Sequence, residues 1–167
     1  DGRCKTLDAS ADGYVRGEAR GVLALEAVDA SEAVNVTNVL LAGAAVNQEG
    51  RSSSLTAPNG PTQKTVIRAA ISTASAMTRD VDALQLHGTG TALGDPIEIG
   101  AALSALERLP ADRAFTLAAV KTHVGHTETA AGAVSLVQET KKLAGCATSL
   151  VAHLRLVSPH LLGLFAS

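Results

Sequence analysis

Aromatic side chains are almost absent from this chain of 167 residues, which contains two Phe, one Tyr and no Trp. A hydrophobic core must therefore be built from smaller side chains, mainly Ala, Val, Leu and Ile. Hydrophobic residues still make up 46% of the sequence. That share excludes a disordered tail, because disordered segments are poor in apolar residues. The length fits a single domain.

The sequence also lacks an excess of charge of either sign, since its net charge is −2. No strong field attracts nucleic acid, and we expect no nucleic-acid partner. The longest apolar runs fall short of the roughly 18 residues that a membrane span needs. The first residues do not begin with Met and do not resemble a signal peptide, which favours a fragment or a processed product.

Cysteine is scarce as well, and the two thiols, Cys4 and Cys146, lie far apart in sequence. Without a Cys-x-x-Cys spacing, neither a zinc site nor a redox dithiol is indicated. This pattern favours two free thiols in a reducing compartment, such as the cytoplasm or a plastid.

Strand and helix patterns alternate along most of the chain. Apolar stretches predict strands at residues 21–26, 34–46, 81–87 and 115–120. Helices are predicted at 61–77, 95–109 and from 126 or 127 to about 145, after a Gly/Ser-rich loop at 47–60. This alternation predicts an α/β fold whose parallel sheet has right-handed crossovers.

Two helices carry more specific expectations. Asp95 is predicted to cap the second helix, with Pro96 and Glu98 in its first turn. Residues 130–134 of the third helix are small and apolar all round, which predicts burial on every side. A second layer must then cover that helix, and this chain does not obviously supply one. Residues 148–167 show no clear period.

Two histidines follow predicted strands. His87 ends the strand at 81–87 and precedes a turn containing Gly88 and Gly90, with hydroxyls at Thr89 and Thr91. The carboxyl ends of parallel strands are where sites form in such sheets. A single histidine at the end of a strand is more often structural, so His87 alone does not establish a site.

The second histidine, His126, lies between the strand at 115–120 and the third helix. The helix N-terminus and the nearby Lys121 both disfavour an imidazolium ion. A neutral imidazole can donate an N–H to a carbonyl oxygen or an enolate. Together with His87, this residue predicts a two-histidine site at one edge of the sheet.

Rival motifs are weak. The glycines at 88, 90 and 94 loosely resemble a dinucleotide-binding loop, but no acidic residue closes the next strand. His87, His123 and His126 lack the carboxylate or cysteine partners of a metal site, so we expect no metal.

Five ordered blocks resemble the ketosynthase (β-ketoacyl synthase) domains of type I polyketide synthases. They are DGRCKTLDASADGY at 1–14, RGE at 16–18, LTAPNGP at 55–61, HGTGTALGDP at 87–96 and KTHVGH at 121–126. The resemblance covers about residues 1–145. It implies a thiolase-like fold in which two sheets enclose buried helices, the α-β-α-β-α arrangement, of which this chain holds mostly the C-terminal half. Residues 1–33 would end the N-terminal half, residues 34–147 would form the C-terminal half, and residues 148–167 would be a divergent tail.

The resemblance also implies an activity, the decarboxylative Claisen condensation of an acyl thioester with malonyl on an acyl carrier protein. His87 and His126 would polarise the malonyl thioester and stabilise its enolate, and Lys121 would orient the histidines. Thr89 and Thr91 would contact the phosphopantetheine arm of the carrier protein. That arm is part of the substrate, and no cofactor is expected to be bound by this chain itself.

The departures from the family pattern leave two hypotheses open. The family's nucleophilic cysteine would lie upstream of residue 1, and Cys4 does not match it. His123 and Gln85 replace a usual Asn and a usual Glu. The chain is therefore either part of a ketosynthase that needs its N-terminal half, or a non-catalytic structural or interaction subunit. A homodimer or larger assembly remains an expectation of either hypothesis.

Overall fold

Two short parallel strands and five helices make up the regular structure of the described residues. The computed structural model describes residues 2–29, 39–48, 50, 58–107, 116–146 and 151–166. The strands are β1 (Ala83–Gln85) and β2 (Thr116–Ala118). The helices are α1 (Gly60–Thr73), α2 (Gly94–Leu106), α3 (Lys121–Val124), α4 (Ala131–Leu143) and α5 (Pro159–Ala166). Two single 3₁₀ turns cover Thr78–Asp80 and Glu128–Ala130.

The centre of the fold follows the prediction. β1 and β2 pair in parallel, with Ala83 opposite Thr116 and Gln85 opposite Ala118. α1 packs against α2, the helix of the crossover between the two strands. α1 begins where expected because the side chain of Asn59 accepts a hydrogen bond from the N–H of Thr62. None of the helices in the described ranges is long and apolar enough to cross a membrane.

The hydrophobic core lies between the strands, α2 and the C-terminal segment. Its buried centre consists of Leu7, Leu86, Ile99, Ala119 and Leu161. Leu161 belongs to α5, which the sequence pattern did not predict. The C-terminal segment therefore contributes a buried side chain to the core.

An acidic side chain fastens that C-terminal segment to the start of the chain. The buried carboxylate of Asp8 accepts hydrogen bonds from the N–H groups of Arg155 (2.7 Å) and Leu156 (3.0 Å). It also accepts from the hydroxyl of Ser10 at 2.6 Å and the N–H of Ser10 at 2.8 Å. These bonds, led by that of the Ser10 hydroxyl, hold the pKa of Asp8 well below its usual range.

One predicted strand, and the described part of another, do not form. Residues 21–26 form no strand, and neither do residues 39–46. The rest of the second predicted strand, residues 34–38, and much of the predicted loop at 47–60 lie outside the described residues. Val22 and Val46 are 97% and 95% exposed. A strand exists only where a neighbour completes its hydrogen bonds, and the described residues place no strand beside either segment.

The predicted third helix also differs. After a 3₁₀ turn, α4 begins at Ala131, which is its one buried residue, while the rest of the helix is half-buried or exposed. Burial on every side is therefore not reached. Gly21 approaches α4 closely, since a Cβ built on it would lie 3.4 Å from the Cβ of Ala133. Gly21 is itself exposed, so it does not bury the helix.

The sequence predicted that Asp95 caps its own helix, and the structure shows that it does not. Its carboxylate accepts from the N–H of Leu7 (2.8 Å) and of Gly90 (3.1 Å), both outside α2. The hydroxyl of Thr91 takes the capping role by accepting from the N–H of Gly94 at 3.0 Å. Asp95 thus joins the first residues of the chain to the turn that follows β1.

Candidate active site

The structure brings the two predicted histidines together. The ring centroids of His87 and His126 lie 5.3 Å apart, and the rings meet edge to face at 86°. His87 follows β1, and His126 follows α3, the short helix that extends from β2. The carboxyl edge of the small sheet is therefore where the two imidazoles meet.

His126 is held by its backbone and by its ring. Its N–H donates to the carbonyl of Val15 (2.7 Å), and its carbonyl accepts from the N–H of Gly17 (2.9 Å). The ring of Tyr14 lies 5.1 Å from the imidazole. The backbone N–H of Glu128 donates to Nδ1 at 3.0 Å, which leaves the proton of the neutral ring on Nε2.

Lys121 fixes the tautomer of the other ring. Its side chain is buried, with 3% exposed, and Nζ lies 3.4 Å from Nδ1 of His87. An ammonium group can only donate, so Nδ1 of His87 accepts and its Nε2 carries the proton. Both imidazoles thus present an N–H on Nε2, the arrangement that can stabilise a developing oxyanion.

The surroundings keep both rings neutral. Burial, then the charge of Lys121, then His126 lower the pKa of His87 to about 4. Burial and Lys121 also lower the pKa of His126, against an opposing contribution from Glu128. Burial lowers the pKa of Lys121 itself, and the charge of Glu98 works in the opposite direction.

Glu98 supports the site in a way that sequence reasoning missed. Its carboxylate accepts from the N–H groups of His87 (2.5 Å) and Gly88 (2.8 Å), so it anchors the backbone of one histidine. Burial raises its pKa, although both hydrogen bonds favour the ionised form. A usable signal was present: Asp95 and Glu98 are three residues apart and so share one face of α2, the face toward the turn after β1.

The glycine-rich turn after His87 needs its glycines. Gly88 and Gly90 have φ values of 47° and 77°, a region that glycine occupies without strain. A Cβ on Gly90 would lie 2.7 Å from the backbone nitrogen of Lys5. In this turn the hydroxyls of Thr89 and Thr91 lie 3.4 Å apart. The close approach of residues 5 and 90 packs the N-terminal loop onto the turn.

The two cysteines lie in different surroundings. Cys4 is fully buried, and its thiol donates to the carbonyl of Val15 at 3.7 Å. Cys146 is exposed beyond the end of α4. Across the described ranges, no group of three or more His, Cys, Asp or Glu side chains is arranged to hold a metal ion.

Comparison with curated proteins finds polyketide synthases. The chain is 46% identical over 145 residues to a phenolphthiocerol/phthiocerol polyketide synthase of Mycobacterium tuberculosis, an alignment that covers 83% of this chain and 6% of that protein. It is 42% identical over 163 residues to erythronolide synthase EryA2 of Saccharopolyspora erythraea, covering 96% of this chain and 4% of that protein. The chain thus spans a small part of each relative.

Solved structures and a family profile agree with this result. The oxazolomycin ketosynthase domain OzmH KS7 of Streptomyces albus JA3453 superposes with a TM-score of 0.80 at 29% identity, covering all of this chain and 29% of that one. The thiolase-like fold class predicted from the sequence is confirmed. The profile of the β-ketoacyl synthase C-terminal domain matches residues 39–152, more than half of the sequence. The chain therefore belongs to the β-ketoacyl synthase family and contains the C-terminal domain of a polyketide synthase ketosynthase.

Proposed function

We propose that this chain supplies the histidine half of a ketosynthase active site, and that a second, cysteine-bearing half completes it. The observation that carries the proposal is the pair of neutral imidazoles 5.3 Å apart, each with Nδ1 engaged and Nε2 left as the donor. The reaction is the condensation of an acyl thioester with malonyl on an acyl carrier protein.

In this reaction both Nε2–H groups would donate to the thioester oxygen of the malonyl group. The bond between its α-carbon and the carboxylate breaks, CO₂ leaves, and the electron pair forms an enolate whose oxygen the two histidines stabilise. The enolate carbon then attacks the acyl thioester on the partner half's cysteine and expels the thiolate. Each oxyanion donor of this kind is typically worth about 10²–10³ in rate.

Neutral histidines are required for this role, because an imidazolium paired with the malonyl carboxylate would favour the ground state. The low pKa of His87 and the buried Lys121 meet this requirement. Lys121 acts here as the group that fixes the ring tautomer and suppresses protonation. We assign Thr89 and Thr91 to the phosphopantetheine arm, since their hydroxyls lie in the turn directly beyond His87.

A partner half also explains an exposed apolar segment. Residues 18–29 are exposed throughout, and Val22 and Leu25, at 97% and 73%, are apolar side chains left in solvent. An uncovered apolar surface of this kind marks an interaction site. The family profile at 39–152 supports a C-terminal half close to residues 34–147, and we propose residues 1–33 as the end of the N-terminal half and 148–167 as a divergent tail. A homodimer or larger assembly, which is usual in the family, would rest mainly on that partner half.

The experiment compares this chain alone with the same chain co-expressed with a cysteine-bearing N-terminal ketosynthase half. Incubation with an acyl-pantetheine thioester, followed by intact mass spectrometry, should show no acyl adduct on this chain. A stoichiometric adduct on it would overturn the proposal. The complex should form the β-ketoacyl product when malonyl carrier protein is added, and His87→Ala should slow its formation by about 10²–10³-fold. A stable, acylated complex that never condenses would instead favour a structural role for this chain.

A further inference from the structure

Gln85 lies on β1, two residues before His87, and its side chain joins three elements. With the amide oriented to satisfy both neighbours, its nitrogen donates to Oε1 of Glu139 (2.9 Å) and its oxygen accepts from the N–H of Val120 (2.6 Å). Glu139 is on α4, and Val120 stands directly before Lys121. One amide thus connects the strand that carries His87 with the two segments that follow β2.

The bond to Val120 extends the strand pairing past its end. The last ladder contact runs from the N–H of Leu86 to the carbonyl of Ala118 at 2.8 Å. Beyond it the backbone turns into α3, and the N–H of Val120 has no strand partner. The oxygen of Gln85 accepts from that N–H instead, so this side chain binds the peptide that directly precedes Lys121 and α3.

The bond to Glu139 uses the other end of the amide. The second carboxylate oxygen of Glu139 lies 3.5 Å from Nζ of Lys142, and about a fifth to a quarter of each of these two side chains is exposed. The carboxylate is therefore held between a lysine of its own helix and the amide of Gln85. A side chain at position 85 must donate to Glu139 and accept from Val120 at once, which an amide does and a carboxylate or an apolar group does not.

We propose that Gln85 is a positioning residue that holds Lys121 against His87 by bridging Glu139 and the N–H of Val120. This role rests on the proposed function, because it concerns the same site. It can be tested without substrate, because it concerns the position of Lys121 in the unliganded chain. The distance from Nζ of Lys121 to Nδ1 of His87, 3.4 Å, is the quantity that Gln85 controls. Loss of the bridge lets Lys121 move away and raises the pKa of His87.

The first test uses Gln85→Met, which removes both hydrogen bonds without adding charge. The titration midpoint of the His87 ring, followed by ¹H–¹³C NMR on the intact chain, should rise by about half a unit or more, since the repulsion from Lys121 weakens. Leu161→Ala is the matched control, because it destabilises the core through α5 without touching Gln85. A midpoint that is unchanged in Gln85→Met, or that rises equally in the control, overturns the proposal.

The second test exchanges the hydrogen-bonding groups and does not depend on the first variant being folded. Gln85→Glu places a carboxylate against Glu139 and should lower the melting temperature by several degrees. Adding Glu139→Gln restores the pair with the roles exchanged, because the amide at position 139 now donates to the carboxylate at position 85. The double variant should therefore recover most of the lost melting temperature. If the double variant melts no higher than Gln85→Glu, the bridge is refuted. Neither measurement involves condensation, so its failure is distinguishable from failure of the proposed function.

Discussion

Replacing Lys121 by Met tests the electrostatic logic of the site, because Met is similar in length and uncharged. Nζ of Lys121 lies 3.4 Å from Nδ1 of His87. Two unit charges at that distance repel by about 1.2 kcal/mol in bulk water and by about 5 kcal/mol at an effective dielectric constant of about 20. One pKa unit corresponds to about 1.4 kcal/mol. Even the weaker figure is therefore worth about one unit.

We expect Lys121→Met to raise the pKa of His87 by about one unit or more from its value of about 4. The pKa should stay below the ordinary 6.5, because burial is the larger cause and is unchanged. A histidine with a depressed pKa is protonated more readily in the unfolded chain. Wild-type stability should therefore fall as pH drops from 6.5 towards 4, and this loss should be smaller in the variant.

The assay is an NMR titration of the His87 ring, whose signal is assigned by its loss in His87→Gln. Lys141→Met is the matched control, since Lys141 is exposed in the last turn of α4. It should leave the titration of His87 unchanged. A wild-type midpoint near 6.5, or equal midpoints in wild type and Lys121→Met, would refute the reasoning.

Two further predictions concern stability. Asp8→Ala leaves three backbone N–H groups, those of Ser10, Arg155 and Leu156, without their acceptor, and at about 1–3 kcal/mol for each unsatisfied group it should lower the melting temperature by about 6 °C or more at pH 7. The same change at Asp12, an exposed partner of Lys5, should lower the melting temperature much less, because solvent screens that ion pair. Because the pKa of Asp8 is depressed, the contrast between the two variants should fade as pH falls below 3.8, and equal melting at pH 7 would contradict this. Gly90→Ala should destabilise strongly, since φ is 77° and the backbone of Lys5 is 2.7 Å from the new Cβ. Gly132→Ala, in α4 with open space around it, should stabilise by about 0.5–1 kcal/mol, and thermal unfolding followed by circular dichroism would expose any reversal of this order.

The parts predictable from sequence are those that depend on local pattern. α1 and α2 follow from apolar periodicity with Pro near the start, and β1 and β2 from short apolar runs closed by turns. The pairing of His87 with His126 followed from both lying after adjacent parallel strands. Position relative to a strand end is local information, and it sufficed to bring the two rings together.

The errors arose where a residue's partner is distant in sequence. Asp95 and Glu98 have the spacing of a helix cap, yet they bind N–H groups outside α2, one of them at Leu7, 88 residues away. Residues 21–26 have strand composition, but composition cannot provide a neighbouring strand. The last helix was missed because residues 148–167 have no period, and its place in the core depends on Leu161, which packs with residues as distant as Leu7.

The segment that pairs with His126 continues directly into the exposed residues 18–29. The carbonyl of Val15 and the N–H of Gly17 form hydrogen bonds with the backbone N–H and carbonyl of His126. The same stretch of backbone therefore holds His126 at one end and carries the exposed apolar side chains at the other. Whatever docks on residues 18–29 would restrain the peptide that carries the histidine. Binding of the proposed second half would then restrict the motion of the His126 ring, and the order of that ring would report on the binding.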